Sequence, residues 1–204
     1  MQKFKQLLVR GKVARLLDRA EVKLHLGCGA NLLDGWINID TGEQFGKRNK
    51  LELVWNLAHG LPFPAQSVDY IYHEHFLEHL TRRQGRKLTE QCFAALKPGG
   101  VLRIACPGLE SLITGYIENS FQQEEWVKDI ATNLIGRSNC EVFNAGMRDW
   151  GHRYVYDSDD LQRMLVEAGF RAENVQPCAI GMSSHEPVAG VESRADSIVV
   201  EAVR

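Results

Sequence analysis

Residues 24–40 read Leu24-His-Leu-Gly-Cys-Gly-Ala-Asn-Leu-Leu-Asp-Gly-Trp-Ile-Asn-Ile-Asp40. Lys23–Leu26 is a short apolar strand, Gly27 and Gly29 allow a sharp turn beneath a bulky ligand, and Trp36–Ile39 is a second strand closed by Asp40. A carboxylate at the end of the second strand can accept hydrogen bonds from both hydroxyls of a ribose while the glycine backbone lies against the rest of the ligand. The stretch predicts a sheet whose first two strands cradle a nucleoside cofactor.

A dinucleotide fingerprint G-x-G-x-x-G needs a third glycine where this chain has Leu32, and it sets the acid about 20 residues further on. Here Asp40 follows Gly29 by 11 positions (40 − 29). A pyrophosphate on a helix N-terminus depends on that third glycine for close packing, so NAD or FAD fits poorly and a hydride-transferring oxidoreductase is disfavoured. S-adenosylmethionine, which carries no phosphate, fits better.

At 204 residues and 44% hydrophobic content, the chain supports one α/β core rather than two. No apolar run reaches the roughly 18 residues of a membrane span, and Met1–Ala20 lacks the apolar segment of a signal peptide. A cytoplasmic protein is expected. Cysteines at 28, 92, 106, 140 and 178 are scattered with no C-x-x-C pair, the pattern of reduced thiols. A net charge of −2 with both signs interspersed argues against a dedicated nucleic-acid surface. Residues 1–22 read as a separate N-terminal element. Phe4, Leu7, Leu8, Leu16 and Leu17 fall near helical spacing, and Lys3, Lys5, Arg10, Lys12, Arg15 and Arg19 face the single acid Asp18. This predicts a basic amphipathic helix packed over the sheet edge, with contact to an anionic membrane surface as the alternative.

Further along, Leu51–Leu57 and Val68–Tyr72 read as strands, separated by the non-helical turn Gly60-Leu-Pro-Phe-Pro64. A helix is predicted from Phe76 to about Leu96, stopped by Lys97-Pro-Gly-Gly100, and a strand over Val101–Cys106 leads through Pro107 into a helix from about Leu109. A helix capped by Asp157 or Ser158 runs through Ala168 to Gly169, followed by strands at Ala172–Gln176 and Ser197–Ala202 with the loop Ile180–Ala195 between them. Strands alternating with helices describe βαβ units, a parallel sheet and a ligand site at the strand C-termini.

Four segments in this order resemble the class I S-adenosylmethionine-dependent methyltransferases: Leu26-Gly-Cys-Gly29, Asp40, Leu61–Tyr70 and Leu96-Lys-Pro-Gly-Gly-Val-Leu-Arg-Ile104. The closest likeness is to small single-domain members of the methyltransferase type 11 kind. The resemblance implies an α/β fold, with a Rossmann-like seven-stranded, mostly parallel sheet, an antiparallel last strand, helices on both faces and a domain over residues 23–204. It implies that Gly27, Cys28 and Gly29 contact the amino-acid end of S-adenosylmethionine and Asp40 the ribose. Asn56 and Leu57 would meet the adenine, with His73 also on the cofactor side. The short connection from Gly29 to Asp40 leaves hardly two turns for the family's first helix, so the methionine end would rest on loop backbone.

His73-Glu-His-Phe-Leu-Glu-His79 concentrates potential ligands at the end of the fourth strand. His75, Glu78 and His79 are spaced i, i+3, i+4, which on a helix is one face. The string also matches the inverted zinc-protease motif, which the surrounding segments disfavour. It resembles more closely the E-x-x-E-H cation site of metal-assisted O-methyltransferases, with His75 in place of the first glutamate and His152 of Gly151-His-Arg-Tyr-Val-Tyr-Asp157 as a fourth ligand. A cation there would activate a hydroxyl nucleophile, and imidazole-rich ligation favours Zn, Mn or Fe over Mg. A metal-free reading makes His75 or His152 a general base; a third makes the cluster structural. Tyr154 or Tyr156 could face the substrate, the other packing in the core.

The expected function is O-methylation of a small-molecule or glycan acceptor, with no dedicated nucleic-acid partner. A non-catalytic cofactor-binding or partner-docking module is the alternative. The acceptor and the oligomeric state are not encoded in any motif.

Overall fold

The computed structural model describes residues 2–42 and 50–204, with described side chains beginning at Val9. Among the described residues seven strands form one sheet: β1 (Lys23–Leu26), β2 (Ile37–Asp40), β3 (Leu53–Val54), β4 (Val68–Glu74), β5 (Leu96–Pro107), β6 (Val175–Cys178) and β7 (Ser197–Val203). Their order is β3-β2-β1-β4-β5-β7-β6, and β7 alone runs antiparallel to both neighbours. This is the Rossmann-like topology with an antiparallel last strand that the sequence implied.

Period-two alternation sorts the strand side chains. Leu24, Leu26, Ile37, Ile39, Ile71, Leu102 and Ile104 belong to the main core with Leu88 and Cys92 of α2 (Arg82–Ala95) and Leu161, Met164 and Leu165 of α5 (Ser158–Glu167). The N-terminal helix α1 (Gln2–Leu16) joins this core through buried Val13, with Val9, Leu16 and Leu17 packed alongside; Phe4, Leu7 and Leu8 fall outside the described side chains. A second cluster, the strand side chains Tyr72, Val101, Ala105 and Val199 with Trp36 just before β2, is covered by Leu33, Val188 and Val191. Helices α3 (Leu109–Glu118) and α4 (Asn139–Arg148) close a small core of their own around Phe121, Trp126 and Val142. Among the described residues, no helix is long and apolar enough to cross a membrane.

Local readings shift in four places. The expected helix from Phe76 breaks into a 3-10 turn, Leu77–His79, and α2, because Thr81 and Gln84 form a reciprocal capping box that starts a new helix. His75 sits at φ +45°, so His75, Glu78 and His79 share no α-helical face. The strand expected over Leu51–Leu57 contracts to Leu53–Val54, since β2 offers only Ile39 and Asp40 as partners and Asn56 then caps a 3-10 turn. Strand β6 starts at Val175, after a 3-10 turn over Ala172–Asn174. The segment between β1 and β2 contains no helix at all.

Candidate active site

A cavity of about 570 Å³ opens over the C-terminal ends of β1 to β4, lined by Gly27, Cys28, Gly29, Asp40, Asn56 and Leu57. Hydrogen bonds hang the glycine turn from β2: the Gly27 N–H donates to Ile39 O (2.8 Å) and the Gly29 N–H to Asp40 Oδ2 (3.1 Å). Gly42 N–H (3.0 Å) and the Thr41 hydroxyl (3.3 Å) both donate to Asp40 Oδ1, so Oδ2 is the oxygen with a lone pair left for a ribose hydroxyl. Gly27 has φ +61°, and a Cβ there would lie 2.2 Å from the Phe76 ring, so the cradle floor must be bare backbone. Asn56 Oδ1 accepts from the Ala58 N–H (2.9 Å), leaving its amide and a second lone pair for an adenine edge.

The cradle lacks what a pyrophosphate requires. It has no helix N-terminus at the glycine turn, and among the described residues Arg194 is the one lysine or arginine lining it. A phosphate-free nucleoside such as S-adenosylmethionine fits this donor set.

His73 is not brought to the site. Because β4 continues to Glu74, His73 is still a sheet position; its ring is wholly buried, edge-on to Phe76, and lines neither cavity described here. Burial pushes its pKa down to about 3. Tyr154 and Tyr156 pack on each other (4.7 Å) and also line neither cavity; the Tyr154 hydroxyl donates to Asp160 and Tyr156 is buried.

A second cavity of about 560 Å³ lies between the sheet edge and the α3–α4 layer, bounded by Ser111, Glu124, Trp126, His152 and Asp196. The two cavities share His75, His79, Trp150 and Arg194, so they meet at the histidine cluster. Trp150 is held at φ +56° beside His152 and Trp126.

At this seam Glu78 is fully buried, and neither carboxylate oxygen has a hydrogen-bond partner. Its Oε1 lies 3.6 Å from His75 Nδ1, 3.8 Å from His79 Nε2 and 3.9 Å from His152 Nε2. Ligand atoms of Glu78, His79 and His152 all fall within 4.8 Å of one another; His75 flanks that group. The outer nitrogens are tied back: His152 Nδ1 is 2.8 Å from Gly146 O and His75 Nε2 is 2.9 Å from Ser197 Oγ. A carbonyl only accepts, so His152 Nδ1 carries the proton and the neutral ring turns its Nε2 lone pair toward Glu78. Burial pushes the Glu78 carboxyl up to about 8 and His75 down to about 3, and lowers His79 and His152. The cluster is rich in lone pairs, and Arg194 is the fixed positive charge acting on it.

Sequence reasoning did not single out Trp126, Trp150, Arg194 or Asp196. They arrive from the α3–α4 layer and the loop before β7, and only Gly151, beside the positive-φ Trp150, marks the chain there as unusual.

Residues 24–104 match the sequence profile of a family described as a methyltransferase domain. The chain resembles a SAM-dependent methyltransferase from Archaeoglobus fulgidus (16% identity, 100% of this chain and 95% of that one, TM-score 0.56) and the YcgJ protein of Bacillus subtilis (13%, 96% and 98%, 0.54). It also resembles an O-methyltransferase family protein from Burkholderia thailandensis (14%, 98% of this chain, TM-score 0.51), of which it spans 56%. No curated protein matches it in sequence. The fold is that of the Rossmann-like methyltransferases it resembles. The profile match lies over β1 to β5, and the likeness to the solved structures is one of fold.

Proposed function

We propose that the enzyme methylates a hydroxyl oxygen of a small-molecule or glycan acceptor, and that Glu78, His79 and His152, flanked by His75, hold a divalent cation beside that oxygen. The observation that carries this reading is the buried, unpartnered Glu78 carboxylate with three imidazole nitrogens within 4 Å of one oxygen. A carboxylate in that setting costs several kcal/mol unless a positive charge meets it.

The cofactor supplies a methyl group on a sulfonium. That methyl group would pass in line to the acceptor oxygen, leaving S-adenosylhomocysteine, and the hydroxyl proton would go to an imidazole nitrogen that the cation leaves free, that of the flanking His75. A cation at the Glu78 group would lower the hydroxyl pKa and fix its position; two imidazoles and a carboxylate suit zinc, manganese or iron better than magnesium. Asp40 and the glycine turn would orient the donor, and Trp126 and Trp150 would wall the acceptor side. Reduced, unpaired thiols agree with a cytoplasmic setting.

The test is transfer of a labelled methyl group from S-adenosylmethionine to catechol and sugar acceptors. The expected result is an O-methyl product whose formation stops on chelation, returns with Mn²⁺ or Zn²⁺, and falls about 100-fold or more in His79→Ala. Hydroxyl methylation unchanged by both treatments would leave His75 or His152 as a metal-free base.

A further inference from the structure

S-adenosylmethionine ends in an amino-acid zwitterion, and the carboxylate of that zwitterion loses water when it enters the cavity. A desolvated carboxylate needs a cation or a set of aligned N–H donors. A helix starting at the glycine turn would supply such donors through its N-terminus, but here residues 27–36 form no helix.

The strand order fixes where the amino-acid end falls. Asn56 lies beyond β3 and Asp40 ends β2, so adenine and ribose occupy the β3–β2 side of the cavity. The rest of the molecule must run across β1 toward β4. There the lining includes Gly27, Glu74, Ser193 and Arg194 beside the rings of His75 and Phe76.

Among the described lining residues Arg194 carries the one guanidinium or ammonium group of the cavity. Its Nε is buried without a hydrogen-bond partner, and its ion pair to Asp196 is long, at 3.5 Å. The segment bearing it is locked to the end of β4. Glu74 Oε1 accepts from the Ser193 N–H (2.8 Å) and the Arg194 N–H (2.9 Å), and Glu74 Oε2 accepts from the Ser193 hydroxyl (2.6 Å). Glu74 therefore places Arg194 and still presents a negative group to the cavity.

Resting on the cofactor reading above, we propose that Arg194 and Glu74 form a clamp for the amino-acid end of the cofactor, the guanidinium taking its carboxylate and Glu74 its ammonium. The loop before β7 thus replaces the charge that the missing first helix would have contributed. Arg194 also borders the second cavity, so the same side chain closes the donor site where the acceptor enters.

Calorimetric binding of two cofactor fragments separates this clamp from the rest of the cradle. S-adenosylhomocysteine carries the amino acid; 5′-methylthioadenosine lacks it. In Arg194→Gln the dissociation constant for S-adenosylhomocysteine should rise about 10- to 100-fold while that for 5′-methylthioadenosine stays within about twofold, and Arg194→Lys should recover part of the loss. Retained 5′-methylthioadenosine binding also reports that the variant is folded. Unchanged S-adenosylhomocysteine affinity, or equal losses for both ligands, would overturn the clamp. Failure of the wild type to bind either ligand would overturn the cofactor reading itself, and the clamp with it.

Discussion

Glu78 is costly for the fold, and the function proposed above gives that cost a chemical purpose. With both oxygens buried and unpartnered, it is the kind of group whose removal relaxes a structure. We expect Glu78→Gln, melted after chelation, to be as stable as the wild type or up to about 1 kcal/mol more so, while methyl transfer falls about 1000-fold. A variant both unstable and fully active would contradict its placement. Gly27 is the opposite case. Its Cβ would enter the Phe76 ring at a backbone angle that side chains avoid, so Gly27→Ala should lose on the order of 2–4 kcal/mol in urea unfolding and weaken S-adenosylhomocysteine binding. At this scale the meeting of Gly27, Gly29 and Asp40 at one cavity was legible because it follows from local spacing. Arg194 and Trp150 were not, because only the folded topology brings them to the cavity.

Elements were legible where period and punctuation agreed. The glycine turn, β1, β2, β7 and α5 follow such signals closely. The break before α2 was hidden because Phe76, Leu77, Leu80, Leu88 and Cys92 sustain one helical rhythm across it; the Thr81-Arg-Arg-Gln84 capping box is the signal that marks it. Helix α4 carries the equivalent signal, Ser138 with Glu141, in a segment with no other readable pattern. Helix α5 is tied to α2 through Asp160, which accepts from Arg82 (3.1 Å) and from Arg163. Burial opposes the Asp160 charge, but the hydrogen bonds from Arg163 and Arg82 outweigh it and hold the carboxyl below its usual range. A depressed folded pKa means the stabilisation is complete above the unfolded value near ~3.9 and is lost as pH falls through the folded value. Asp160→Asn should therefore cost about 0.5–1.5 kcal/mol near neutrality, with the gap closing below about pH 4 in thermal melts across pH. A constant gap down to pH 2.5 would contradict the coupling.

For the whole molecule, the sheet order brings chemistry from distant parts of the chain to one edge. The cavity proposed for the cofactor draws on β1 to β4, while the one proposed for the acceptor draws on the α3–α4 layer and the loop before β7. That loop is anchored from below. Arg103 of β5 is fully buried and bonds Glu192 of the loop and Glu201 of β7, and the Ser183 hydroxyl donates to Glu201 (2.7 Å). Removing the cation leaves two buried carboxylates facing each other, so Arg103→Met should cost about 3–5 kcal/mol and speed hydrogen exchange over residues 180–195. Unchanged exchange in that loop would contradict its anchoring. The seam between the two cavities is the centre of this architecture, and the Glu78 cluster occupies it. Titration of the chelator-stripped protein with Mn²⁺ in the presence of S-adenosylhomocysteine tests that assignment most directly: one saturable site is expected in the wild type, weakened about 100-fold or more in Glu78→Gln, whereas no site in the wild type, or equal binding in the variant, would contradict it.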